Sequence, residues 1–177
     1  MNASGSGLEQ DWLDEQLPAG VQLGEGAWLY SAFAFLHAVS ELPVPVRVGA
    51  HSGVYDGTFF ELGPAGSVSI GEYCSIVGAI IATDADVRIG DRCLIAHDVV
   101  IADTEFSAPL IATSGRSRGA SLGDDVWVGT AVSIIGPVSI GDGSIIAAGS
   151  VVTSDVPSGV VAAGQPARTV RRIGAES

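Results

Sequence analysis

Three histidines, His37, His51 and His97, are the chain's side chains best suited to move a proton near neutral pH. A histidine can take the proton from a hydroxyl or amine as that group attacks a carbonyl carbon. His97 stands in the regular tract Ile95-Ala96-His97-Asp98-Val99. It lies two residues from an apolar side chain on either side, a spacing that turns its ring outward. Asp98 supplies a carboxylate that could orient the ring and stabilise its protonated form. His37 and His51 sit in less regular tracts and are the weaker bases. Asp103 and Glu105 form a second candidate pair, because a carboxylate held in a dry groove can rise in pKa and act as a base. Their other reading is a solvated loop entrance. Cys74 and Cys93 fall at equivalent inward positions, which suits packed free thiols better than a nucleophile or a disulfide. No spacing of histidine, cysteine or carboxylate calls for a metal.

The charge pattern narrows the partners. Formal net charge is −12 and none of the basic residues is lysine, which argues against nucleic acids and anionic membranes as partners. Five of the arginines, Arg116, Arg118, Arg168, Arg171 and Arg172, gather in a long loop and near the C-terminus. They read either as solubilising charge or as a local cationic patch for a phosphorylated ligand.

A six-residue rhythm must position these groups. Leu122, Val128, Ile134, Ile140, Ile146 and Val152 recur every sixth residue, and Ala120, Val126, Val132, Val138, Ser144 and Ser150 stand two places before them. This is neither a helical stripe nor simple strand alternation. It predicts a β-solenoid in which each hexapeptide forms one short face and three faces make a coil. Carried backward, the register assigns Val87/Ile89, Cys93/Ile95 and Val99/Ile101 to one coil and Val68/Ile70, Cys74/Ile76 and Ile80/Ala82 to the one before. Val46/Val48, Ser52/Val54 and Thr58/Phe60 form another. Val21/Leu23, Ala27/Leu29 and Phe33/Phe35 form a first coil, although residues 31–42 also suit a short helix. About six coils at the spacing of adjacent strands give a prism on the order of 29 Å long. Extra residues follow the third face each time, after Phe35, Phe60, Ala82 and Ile101, so loops share one corner.

Composition agrees with one thin-cored domain: 47% hydrophobic residues, only 6% aromatic, and 24 glycines that recur in phase with the apolar pairs. Ser6-Gly7-Leu8-Glu9 reads as a capping box opening a short helix over the end of the solenoid. The expected organisation is therefore an N-terminal segment over 1–20, a β-helix over 21–168 with a loop at 102–119, and a tail over 169–177. The apolar stretch Ala27–Val39 is too short to span a bilayer. With no basic region before an apolar core at the N-terminus, a cytoplasmic location is expected.

The in-phase hexapeptides, Asp125-Val126-Trp127-Val128-Gly129 and Ala163-Gly164-Gln165-Pro166-Ala167-Arg168 together resemble the left-handed parallel β-helix acyltransferases over residues 46–173. The C-terminal half is similar to the sugar and xenobiotic O-acetyltransferase branch. The resemblance implies an all-β left-handed helix and a homotrimer, with acetyl-CoA in the groove between subunits and no metal. The acceptor would be a hydroxyl or amine on a sugar, nucleotide-sugar or small natural product. Trp127, Thr130, Ala148, Gly149, Ala163 and Gly164 would then line the CoA site, with Arg168 and Arg171 on its phosphates. The sugar acetyltransferases carry a histidine just before the long loop, where this chain has Phe106 and its neighbours. Ile95-Ala96-His97-Asp98 instead resembles the segment of the lipid A acyltransferases in which the histidine is the general base. Two other readings are a catalytically silent scaffold and a gamma-class carbonic anhydrase. The latter needs a second histidine five residues after the first, where this chain has Ala102.

Overall fold

The computed structural model describes residues 17–103 and 119–174. The capping box, Glu105, Phe106, Arg116 and Arg118 lie outside the described residues. The rest is an all-β left-handed parallel solenoid of about 6 turns. Its first face is a sheet of six strands, Val21–Leu23, Val46–Val48, Ser67–Ile70, Asp86–Ile89, Ser121–Leu122 and Ser139–Ile140, each parallel to its neighbours. The second face runs from Trp28–Leu29 to Ala167–Arg172 in eight strands, and the third holds five. Among the described residues no helix is long and apolar enough to cross a membrane.

The rhythm works because the inward residue of each hexapeptide stacks on its counterpart one coil away. Ile89 pairs with Leu122 and Leu122 with Ile140 on the first face, while Ile76, Ile95, Val128 and Ile146 stack on the second. All these side chains are buried, as are all twelve inward residues expected between Ala120 and Val152. Cys74 and Cys93 are free and buried in the same column. Their sulfurs donate to the carbonyls of Gly90 at 3.0 Å and Gly123 at 3.1 Å. The neighbouring Cys74 sulfur, and after it burial, push the Cys93 thiol above its ordinary pKa.

Corners demand a left-handed backbone residue, and among the described residues six of them are not glycine. His51, Tyr73, Arg92, Asp98, Asp125 and Ala131 have φ between 55 and 60°, where an L residue is strained. Each is held there by its own N–H, which donates to a carbonyl of the preceding coil at 2.7–3.0 Å. The glycine that follows the apolar pair has a different cause. Asp91, Asp124 and Asp142 each accept the backbone N–H of the residue one coil back, Glu72, Asp91 and Asp124, at 2.8–3.0 Å. A Cβ on Gly71, Gly90 or Gly123 would collide with those same carboxylate oxygens.

This aspartate column concentrates negative charge, and Arg92 offsets it. Its guanidinium grips Asp125 through two hydrogen bonds of 2.7 and 2.8 Å and stands 3.6 Å from Asp124. The Arg92 hydrogen bonds hold the Asp125 carboxyl below the usual aspartate range. A depressed folded-state pKa stabilises the fold above the unfolded value of about 3.9, and that contribution is lost as pH falls through the folded value. Arg92→Ala should therefore lower the melting temperature at pH 7, and the gap to the wild type should close as the carboxylates take protons in acid. Calorimetry across this pH range checks it. An equal gap at acid and neutral pH would mean that Arg92 acts through packing alone.

Two coils depart from the expected register. In the third coil the inward residues of the third face are Ala79 and Ile81, both fully buried, while Ile80 is 37% exposed. The expected Ile80/Ala82 pair is thus corrected by one residue. Ile76 to Ile81 spans five positions where Ile95 to Ile101 spans six, because Gly78 turns the corner at φ 60° in one residue fewer. In the first coil, Ala32–Phe35 forms a 3₁₀ turn in place of a third face, capped by Ser31, whose Oγ accepts the Phe33 N–H at 3.1 Å. Phe35 from this turn stacks on Phe60 at 4.9 Å and closes that end of the core. At the other end Val160–Gly164 and Ala167–Arg172 pair as an antiparallel hairpin continuing the second face, so residues 169–172 of the expected tail belong to a strand packed on the last coil.

Candidate functional site

The corner between the second and third faces collects most of the candidate residues into one vertical column. From the N-terminal end it passes Asp56-Gly57, Gly78, His97-Asp98, Thr130-Ala131, Ala148-Gly149 and Gly164-Gln165. Backbone bonds fix the stacking: Asp98 N–H donates to Gly78, Ala131 to His97 and Gly149 to Thr130, at 2.9–3.0 Å. The Gln165 side-chain amide closes the column by donating to the Gly149 carbonyl at 2.7 Å.

His97 is exposed on this column. Its Nδ1 would lie 3.0 Å from a Cβ built on Gly78, so the missing side chain one coil back makes room for the ring. Among the described residues no hydrogen bond joins the His97 ring to Asp98. The left-handed backbone of Asp98 uses its N–H to hold the corner. His51 stacks on Tyr73 at another corner, with ring centroids 5.0 Å apart, and His37 stands 3.7 Å from Glu61. The three histidines thus lie on different parts of the prism, and among the described residues no group of three or more metal-binding side chains converges.

Asp103, at the start of the loop, is buried. Its Oδ2 accepts the Thr83 hydroxyl at 2.6 Å and the Asp84 N–H at 2.7 Å, which ties the loop entrance to the coil before it. Its partner in the sequence reading, Glu105, lies outside the described residues.

Small residues flank the column on the second face. Outward positions next to the corner stack as Ala96, Gly129, Ala147 and Ala163, with Arg168 paired to Ala163 across the terminal hairpin. Two residues further from the corner runs an apolar stripe, in which Leu94 pairs with Trp127, Trp127 with Ile145 and Ile145 with Val161. Leu94 and Trp127 are 51% and 52% exposed, and Arg171 pairs with Val161 at the end of this stripe. Thr130, Ala148, Gly149, Ala163, Gly164 and Arg168 therefore come together at one end of the column, with Trp127 and Arg171 beside them. The sequence alone assigned no site role to Gly78, Gln165 or the aromatic residues around Asp56. The clue to the last was Tyr30 and Tyr55, which occupy equivalent positions in successive coils.

Residues 119–154 match the family model described as bacterial transferase hexapeptide (six repeats). The chain is 37% identical over 130 residues to the galactoside O-acetyltransferase of Escherichia coli, covering 71% of this chain and 63% of that enzyme. It is 29% identical over 162 residues to the bifunctional protein GlmU of Bartonella quintana, of which it covers 33%. It thus spans between a third and two thirds of the length of these relatives. Among solved structures, a hexapeptide transferase family protein of Anaplasma phagocytophilum superposes with a TM-score of 0.64 at 21% identity, covering 88% of this chain and 84% of that one. AntD, an N-acyltransferase of Bacillus cereus, gives 0.65 at 17% identity, covering 86% and 83%. These two likenesses concern the fold. By its repeats and its coils the chain is similar to the bacterial hexapeptide transferases over residues 119–154, and it forms the left-handed β-helix of the hexapeptide-repeat fold.

Proposed function

We propose that this protein transfers an acetyl group from acetyl-CoA to a hydroxyl or amine of a small molecule, with His97 as the general base. The observation that carries the reading is the single corner column, in which an exposed histidine lies one coil from Thr130 and two from Ala148 and Gly149. Small residues there leave the backbone open to the thin pantetheine arm along Thr130, Ala148, Gly149, Ala163 and Gly164. Arg168 and Arg171 meet the phosphates beyond it.

The chemistry then needs little more. His97 accepts the acceptor's proton as its oxygen or nitrogen attacks the thioester carbon, and a backbone N–H on the corner receives the developing oxyanion. Collapse of the tetrahedral intermediate breaks the C–S bond, and the proton returns from the imidazolium to the CoA sulfur. The galactoside O-acetyltransferase likeness supports a sugar-like acceptor, with a nucleotide-sugar or small natural product as the other acceptor classes.

The reading includes a homotrimer. Leu94 and Trp127 form an apolar stripe that a monomer would leave wet, and such a stripe is covered most economically by a symmetric neighbour. Two measurements on one preparation test the proposal. Light scattering should return three times the chain mass, and CoA should raise the melting temperature by mass action on the folded state. A monomer at micromolar concentration would remove the intersubunit groove. Absence of any thermal shift with millimolar CoA would remove the cofactor.

A further inference from the structure

We propose that the aromatic cavity at the N-terminal end of the same corner is the acceptor pocket, and that it takes a single unphosphorylated ring bearing an amine, such as an amino sugar. The proposal rests on the acetyl-transfer reading and adds the acceptor class. The cavity has a volume of about 150 Å³ and is lined by Tyr30, Phe33, Tyr55, Asp56, Gly57 and Phe59 among others. A cavity of that order holds one benzene-sized ring, which excludes a nucleotide-sugar from entering whole.

Its place on the column connects it to His97. Gly57 and Gly78 are the corner residues between them, and a Cβ on Gly57 would lie 3.3 Å from the Gly78 Cα. A Cβ on Gly78 would meet both the His97 Nδ1 at 3.0 Å and the Asp56 carbonyl oxygen at 3.7 Å. Two successive glycines thus leave the corner bare from the cavity to the base. The gap is two coil spacings, roughly 10 Å, which a six-membered ring and its exocyclic arm can bridge.

The walls select the ring. Tyr30 and Tyr55 are 38% and 42% exposed, Trp28 packs 5.0 Å from Tyr55, and Phe33 meets Phe59 edge-on at 5.5 Å. Such π-faces stack on the apolar face of a sugar or an arene and attract a cation. The polar groups select the charge. Thr58 Oγ1 donates inward to the Ile76 carbonyl at 3.4 Å and Ser31 Oγ caps the 3₁₀ turn, so both hydroxyls serve the fold. Among the described residues Asp56 is the one charged group of the lining, exposed, with Oδ1 accepting the Gly57 N–H at 2.8 Å. No basic residue among those described lines the cavity. A phosphate or carboxylate on the acceptor would face a carboxylate and aromatic π-faces, whereas an ammonium meets complementary charge on a protein whose net charge is −12.

Saturation-transfer NMR titrations of the full chain with CoA present test this, using glucosamine, glucose and glucosamine 6-phosphate as probes. Glucosamine should bind most tightly, glucose more weakly, and the phosphorylated probe weakest. Asp56→Asn and Tyr55→Ala should each weaken glucosamine binding about tenfold or more, with Tyr55→Phe retaining most of it and CoA affinity unchanged in all three. Glucosamine binding that ignores both substitutions, no binding to the wild type, or preference for the 6-phosphate would overturn the assignment. Failure of the acetyl-transfer reading would appear instead as loss of CoA binding in the wild type, which the same samples report separately.

Discussion

His97→Ala should lower acetyl transfer by about 10²–10⁴-fold, the usual cost of removing a positioned general base, while CoA affinity and the oligomer stay as they are. The ring is exposed and rests over Gly78 rather than in the core, so its removal opens no cavity in the fold. The effect should fall on kcat and on kcat/KM alike, because the proton is taken only as the acceptor attacks. The competing carboxylate reading makes a different forecast. Asp103 is buried with its Oδ2 accepting from Thr83 and Asp84. If it only ties down the loop entrance, Asp103→Asn should lower the melting temperature and leave the kcat of the folded fraction near wild type. Turnover that survives in His97→Ala and collapses in folded Asp103→Asn or Glu105→Gln would move the base to the loop. Steady-state rates, with calorimetry on each variant, separate these outcomes.

The second large effect is expected on cofactor affinity. Arg168→Ala combined with Arg171→Ala should weaken CoA binding about a hundredfold or more, since each charge-assisted contact to a phosphate is worth about 1.5–3 kcal/mol. Arg88 and Arg92 have carboxylate partners. By contrast, among the described residues neither Arg168 nor Arg171 is paired with an acid. Their guanidinium groups donate to nearby backbone carbonyls, Ala167 at 2.7 Å and Arg172 at 3.4 Å. Both stand on the exposed outer strand of the terminal hairpin, so charge removal should leave the coils intact. Titration calorimetry at two salt concentrations checks the prediction: the wild type should lose affinity as salt rises, and the double variant should lose much less. An unchanged dissociation constant would place the phosphates elsewhere.

Much of the architecture could be read because the solenoid is local and repetitive. An inward residue needs a branched or small side chain every sixth position to stack on its neighbour, so Val126/Val128 or Val87/Ile89 state their own orientation. The same periodicity put His97 on an outward corner and placed the cysteines as packed thiols. It failed at Ile80, because Ala79, Ile80 and Ile81 are all apolar and such a run carries no phase of its own. Only the hydrogen-bonded pairing of Ile81 with Ile101 decides which of them points inward. It also left Phe33 and Phe35 open between strand and helix, because the choice depends on Phe35 finding Phe60 beneath it.

The candidate site divides in the same way. The proposed base, the small residues and the two arginines were visible as residue types at repeating positions, since a corner recurs wherever the rhythm does. Their gathering into one column with Asp56, Tyr30 and Tyr55 was not, because those residues are separated from His97 by loops of unequal length and by a coil shortened by one residue at Gly78. The β-helix, its number of coils and the outward side of most hexapeptides follow from the residues in order, because all are properties of a short period. Which corners lie above one another emerges only on folding, because vertical register is set by interstrand hydrogen bonds and close glycine contacts between residues about twenty positions apart.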